Sequence, residues 1–136
     1  HQHVLFRRQR QMCIRDRDMK LLTIVVKPSR SDGVKRALST IGTGGATIIS
    51  AQGFGTQKGH SETYRGASYE VDTKPKTLFK VACKDDDVEN IIRAVREVAN
   101  TGEIGDGKIF VTELNEVVRI RTGETGEDAI KENNYE

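Results

Sequence analysis

Two stretches with a helical period, SDGVKRALSTIG and DDDVENIIRAVREVAN, each lie between short apolar runs, and that alternation leaves few folds open. In the first, Val34, Ala37, Leu38 and Ile41 fall at i, i+3, i+4 and i+7, the stripe of a helix packed on one side. Ser31 is placed to cap it, Asp32 favours its positive end, and Gly42 is the natural stop. The second opens at Asp85-Asp86-Asp87, keeps the period through Val88, Ile91, Ile92, Val95, Val98 and Ala99, and ends at Gly102. Four strand-like runs surround them. LLTIVV, residues 21–26, is stopped by Lys27-Pro28, because proline cannot continue a ladder. Residues 46–52 follow the turn at Gly44-Gly45. Residues 77–83 put Phe79, Val81 and Cys83 on one face and Lys80 on the other, and residues 108–114 form the last strand.

The resulting order, β-α-β-β-α-β, is the split βαβ, a ferredoxin-like α+β arrangement with an antiparallel sheet carrying both helices on one face. Along the first strand Leu21, Thr23 and Val25 alternate with Leu22, Ile24 and Val26, so both sides are apolar. A monomer would leave one sheet face in water, which predicts self-association.

Between the second and third strands stands GFGTQKGHSETYRGASYEVDTKPK, Gly53 to Lys76. A two-residue turn could join such a pair, and connections this long inside a domain usually carry function or are disordered. The stretch bears Tyr64, Tyr69 and His60 among charges and glycines, the make-up of an arm that touches something else. A tolerated surface insertion is the plainer reading.

Residues 1–18 have no sustained apolar period, and MCIRDR resembles translated adapter sequence, so they are expected to be a disordered or artefactual extension, with Met19 the true start. Five arginines against two aspartates there hold +3 of charge, so the net +2 leaves −1 for the rest. A near-neutral domain does not announce nucleic-acid binding. No apolar run approaches the ~20 residues that span a bilayer. Cys13 and Cys83 make neither a disulfide framework nor a metal spacing, which suits a reducing, cytoplasmic setting. Residues 131–136 read as a disordered tail.

Three glycine-bearing loops could hold an anion: Gly53-Phe54-Gly55, TGEIGDGKIF over 101–110, and RIRTGETGED over 119–128. Glycines let backbone N–H groups approach a phosphate, and Lys108, Arg119 and Arg121 could neutralise it. On an extended segment Arg119 and Arg121 point the same way. None of these is a Walker or Rossmann pattern, and ordinary turns explain each one alone. No catalytic constellation emerges: His60 sits in the long arm and reads as a solvated loop residue rather than a general base, the serines and cysteines lack a base partner, and the three aspartates suit a helix start.

Taken together, GFGTQKGHSETYRGASYEVD, TGEIGDGKIF and VVRIRTGETGEDAI closely resemble the PII family of nitrogen-regulatory signal proteins, from Met19 to Ile130. The resemblance implies a signalling domain over 19–130 with an effector loop at about 55–73, assembled as a homotrimer. It implies ATP or ADP in the clefts between subunits, with Mg²⁺ and ATP admitting 2-oxoglutarate. On matching positions Gly45, Thr47, Gly53 and Gly55 would line the nucleotide from one side. Gly105, Gly107 and Lys108 would wrap phosphates, and Arg119 and Arg121 would reach them from the neighbouring subunit. Gln57 would ligate Mg²⁺ and help hold 2-oxoglutarate, whose distal carboxylate would pair with Lys76. Tyr69 matches a tyrosine that some members carry as a nucleotidylation (uridylylation) site. The implied role is a regulator, not an enzyme, acting on protein targets such as an ammonium transporter or a glutamine-synthetase-modifying enzyme.

Two positions depart from the family. Thr56 stands where an arginine usually contacts the terminal phosphate, and Lys80 where a glutamate commonly pairs with the lysine matched by Lys108. Other readings are an adenylate-only sensor, or a weak ATP hydrolase on the same fold. An RNA-recognition domain shares the topology but needs exposed aromatics on its central strands, where this chain offers only Phe79 on the core face.

Overall fold

A central strand apolar on both sides must be covered on both, and β1 (Met19–Val26) takes that place. In the structure, a computed structural model that describes residues 18–55 and 72–131, β1 is followed by α1 (Ser31–Ile41) and β2 (Thr47–Gly53). Then come β3 (Lys74–Lys84), α2 (Val88–Ala99) and β4 (Gly107–Glu113). The sheet order is β2-β3-β1-β4 with every neighbouring pair antiparallel, the ferredoxin-like topology.

Leu22, Ile24 and Val26 of β1 and Phe79, Val81 and Cys83 of β3 pack beneath Val34 and Leu38 of α1 and Ile91, Val95 and Ala99 of α2. Full burial of each large side chain contributes about 1.5–3 kcal/mol, so this layer is the principal source of stability. Burial raises the Cys83 thiol to about 11, with Asp87 and Asp85 adding to the shift. Gly42 closes α1 in the left-handed conformation, φ 89°, its N–H reaching the carbonyls of Leu38 and Ser39.

Some element ends differ from expectation. The Ser31 hydroxyl does not cap α1; it donates back to the Pro28 carbonyl at 2.8 Å, because a 3-10 turn over Pro28–Arg30 already feeds the helix. The aspartate run likewise forms a 3-10 turn, Asp85–Asp87, ahead of α2, which stops at Ala99 rather than at Gly102. β3 begins at Lys74, earlier than its apolar run, because Lys74–Lys76 pair with the end of β2.

The face away from the helices is organised in rows set by register. One row crosses the sheet as Lys108, Val25, Leu78 and Ile49, the next as Phe110, Thr23, Lys80 and Thr47. Ile49 is 41% exposed and Phe110 49%, so this second apolar face has no cover among the described residues.

Candidate nucleotide and effector site

β2 and β3 form a two-stranded stem whose last pair is Gly53 and Lys74, the residues between which the long connecting segment runs. The Thr73 hydroxyl donates to Gln52 Oε1 at 2.7 Å and holds the stem together just past the ladder. From the stem, Lys76 reaches sideways to the loop joining α2 to β4, where its Nζ donates to the Gly105 carbonyl at 2.6 Å.

That loop is shaped by Asp106. Its carboxylate accepts from the Thr101 hydroxyl at 2.5 Å, the Thr101 N–H at 2.8 Å and the Gly102 N–H at 3.0 Å. Lys27 adds an ion pair at 3.5 Å and a second to Glu103 at 3.6 Å. These bonds, the Thr101 hydroxyl foremost, hold the Asp106 carboxyl down at about 2. At the loop's exit Gly107 has φ 109°, and a Cβ there would overlap the Val25 carbonyl oxygen, so only glycine lets β4 start against β1. Lys27 and Lys76 thus reach the turn and Lys108 follows it at the start of β4, a gathering of positive charge that a phosphate or carboxylate would use.

The structure therefore brings Gly53, Gly105, Gly107, Lys108 and Lys76 to one end of the sheet. Gly53 lies against Lys76, at 3.4 Å from where its Cβ would be to Lys76 Cγ. Gly55 lies two residues past the end of β2. Gly45 and Thr47 stand at the other end of β2; Thr47 and Gly53 are the two ends of the seven-residue strand, about 20 Å apart.

Arg119 and Arg121 do not lie on an extended segment. The chain turns there, with the Gly123 N–H bonded to the Arg119 carbonyl and the Arg119 N–H to the Glu124 carbonyl, both at 2.8 Å. The Arg119 guanidinium meets Glu124 at 2.6 Å and the carbonyls of Lys131 at 2.8 Å and Ala129 at 3.3 Å. The Thr122 hydroxyl and then Arg119 hold the Glu124 carboxyl below its ordinary range. The 3-10 turn Gly126–Ile130 in turn abuts Gly44, whose missing Cβ makes room for the Ile130 carbonyl. Arg119 is therefore at the Gly44 end of the sheet in its own chain, away from Gly105. Thr56, Gln57, His60, Tyr64 and Tyr69 lie outside the described residues.

Sequence reasoning missed Lys27 and Asp106. An aspartate between glycines, five residues after a threonine, is a turn signal that could have named the second. Lys27 carried no signal beyond preceding a proline.

The protein-family model described as nitrogen regulatory protein P-II matches residues 19–124. The nitrogen regulatory protein P-II of Mesorhizobium japonicum is 55% identical over 112 residues, 82% of this chain and 100% of the relative. The nitrogen regulatory protein GlnK of Escherichia coli K12 is 52% identical over the same shares of each chain. Among solved structures, Arabidopsis thaliana PII bound to citrate aligns with TM-score 0.69 and 35% identity, over 85% of this chain and 93% of that one. A B. subtilis GlnK–ATP complex aligns with TM-score 0.69 and 31% identity, over 82% and 94%.

Proposed function

The chain belongs to the nitrogen regulatory protein P-II family, and we propose that it binds ATP or ADP together with 2-oxoglutarate and reports that state through the segment between β2 and β3. Its work is regulatory rather than catalytic, in keeping with the names of its relatives. The observation that carries this reading is the bond from Lys76 Nζ to the Gly105 carbonyl. It ties the stem of the connecting segment to the glycine turn, so one anionic ligand at that point contacts both.

On this reading Gly105, Gly107 and Lys108 receive phosphates, and Lys76 exchanges a carbonyl for the distal carboxylate of 2-oxoglutarate. Gly53 and Gly55 flank the phosphate end, while Gly45 and Thr47 serve the nucleoside end of β2. Arg119 stands at the Gly44 end, away from Gly105 of its own chain, which favours a site shared between subunits. The apolar rows through Val25 and Leu78 favour the same assembly, a homotrimer closing over that face. Mg²⁺ takes most of its ligands from phosphates and water, so a single protein ligand, Gln57, fits it. When bound, the ion would offset the repulsion between phosphate and effector carboxylate.

A ligand that binds one state of the stem shifts the connecting segment's population, and partners read the shift. The partners would be nitrogen-assimilation proteins in the cytoplasm, such as an ammonium transporter or a glutamine-synthetase-modifying enzyme, with Tyr69 a candidate for nucleotidylation.

Titration calorimetry of the full chain with 2-oxoglutarate, with and without MgATP, tests this. Heat is expected only with MgATP and should vanish in Lys76→Met. Binding that ignores the nucleotide, or no binding with MgATP present, would overturn the effector reading.

A further inference from the structure

We infer that self-association of this chain over its uncovered sheet face is gated by a triphosphate: the phosphate chain of a nucleotide neutralises lysines that otherwise hold the copies apart. The inference rests on the assembly reading above and adds what regulates that assembly.

Register shows what the face carries. It takes the odd-numbered residues of β1 and β2 and the even-numbered ones of β3 and β4. At its centre Val25 and Leu78 stand side by side. Lysines bound that apolar centre on three sides. Lys76 and Lys80 lie two residues either way along β3 from Leu78, and Lys108 faces Val25 from β4. Lys74 and Lys84 add charge at the two ends of β3. No strand residue of this face is acidic. Glu113, the acid of β4, belongs to the helix side, opposite Lys20.

Lys80 and Lys108 are exposed, and neither has a hydrogen bond or ion pair among the described residues. Of the acids that follow β4, Glu124 is held by Arg119 at 2.6 Å and Asp128 by Lys131 at 3.1 Å. A homotrimer closing over this face turns the same face of every copy inward, so each copy brings the same lysines to the junction. Covering a charge that has no partner is costly, and like charges across an interface oppose association. The apolar centre favours closure and its lysine border resists it, so the balance turns on an anion. Lys80 and Lys108 stand two strands and two residues apart, about 12 Å between Cα atoms. Two long side chains converge across that gap, so one phosphate chain can meet both. A ligand held only by the assembled form draws the equilibrium toward it.

The test is sedimentation of the full chain over a range of protein concentrations, with ATP, inorganic triphosphate or neither, all at one ionic strength set with NaCl. It is run on the unaltered sequence, Lys80→Gln and Lys80→Glu. Lys80 is exposed, so both variants should fold, and thermal melting confirms it. ATP is expected to lower the midpoint concentration of assembly about tenfold or more. An equal effect of inorganic triphosphate assigns the gate to the phosphate chain alone, and an effect of ATP alone adds a requirement for the nucleoside. Lys80→Glu sets an opposite charge near Lys108, so it should assemble about tenfold more readily without triphosphate and lose most of the response to it, with Lys80→Gln in between. Assembly already complete without triphosphate, a midpoint that neither ligand moves, or a response that Lys80→Glu leaves intact would overturn the gate while the assembly reading stands. A chain that stays monomeric under every condition would overturn the assembly reading and the gate with it.

Discussion

Replacing Gly107 by alanine tests how the turn between α2 and β4 is joined to the sheet. Two costs add. The residue sits at φ 109°, a conformation that L side chains rarely adopt, worth about 1–2 kcal/mol. The new Cβ would also overlap the Val25 carbonyl oxygen, which is backbone and cannot rotate away. Relief requires β4 to withdraw from β1 at Val26↔Gly107 and Val25↔Lys108, giving up two ladder hydrogen bonds at about 1 kcal/mol each. The sum is about 3–4 kcal/mol. Gly42→Ala is the control, since Gly42 has φ 89° with no neighbour within 4 Å of the added carbon, and so incurs only the strain. At about 4 °C per kcal/mol, the melting point should fall about 12–16 °C for Gly107→Ala and about 4–8 °C for Gly42→Ala. Circular dichroism measures both, at one fixed protein concentration because self-association would make the melting point concentration-dependent. Equal shifts in the two variants would show that the overlap costs nothing and that β4 starts some other way.

Three further outcomes are expected. Phe79→Ala should cost about 3–5 kcal/mol in urea unfolding, because its ring is fully buried between the sheet and both helices; less than half of that would mean the core collapses onto the gap. Asp106 has its carboxyl depressed to about 2, so it favours the folded loop above its ordinary range and loses that effect as pH falls from about 4 toward 2. Amide resonances of Thr101 and Gly102 should therefore titrate with a midpoint near 2, and a midpoint near 4 would contradict the bonding described. The Cys83 thiol, buried and raised to about 11, should react with a disulfide reagent at pH 8 only as fast as the protein opens; prompt labelling of Cys83 in a Cys13→Ser chain would place it at the surface.

Much of the fold was legible because two periods govern it. The spacing of Val34, Leu38, Ile91 and Val95 identified both helices, and the alternation at Phe79, Val81 and Cys83 gave the core face of β3. Strand order followed from the element order. What escaped were contacts between residues far apart in sequence that no period encodes. Lys76 meets Gly105 across 29 positions, and Lys27 meets Asp106 across the sheet end. The Arg119 turn was missed because alternation was read as strand. The bonds of Gly123 and Glu124 to Arg119 instead close the chain on itself, and the guanidinium is held by a carboxylate five residues on and two later carbonyls.

The stem of β2 and β3 has one more consequence, for how such a chain can diversify. Gly53 and Lys74 are held as facing residues of a ladder, and the first pair of the same two strands that carries a core residue, Ile48↔Phe79, stands five positions further in. Whatever is spliced between those two residues starts and finishes at neighbouring strand positions, so the sheet needs no adjustment to its length. Loop closure adds only about 0.6 kcal/mol for each doubling of the insert. A library of recognition segments could be exchanged at this point while the Lys76–Gly105 end stays constant, making the domain a ready chassis for display.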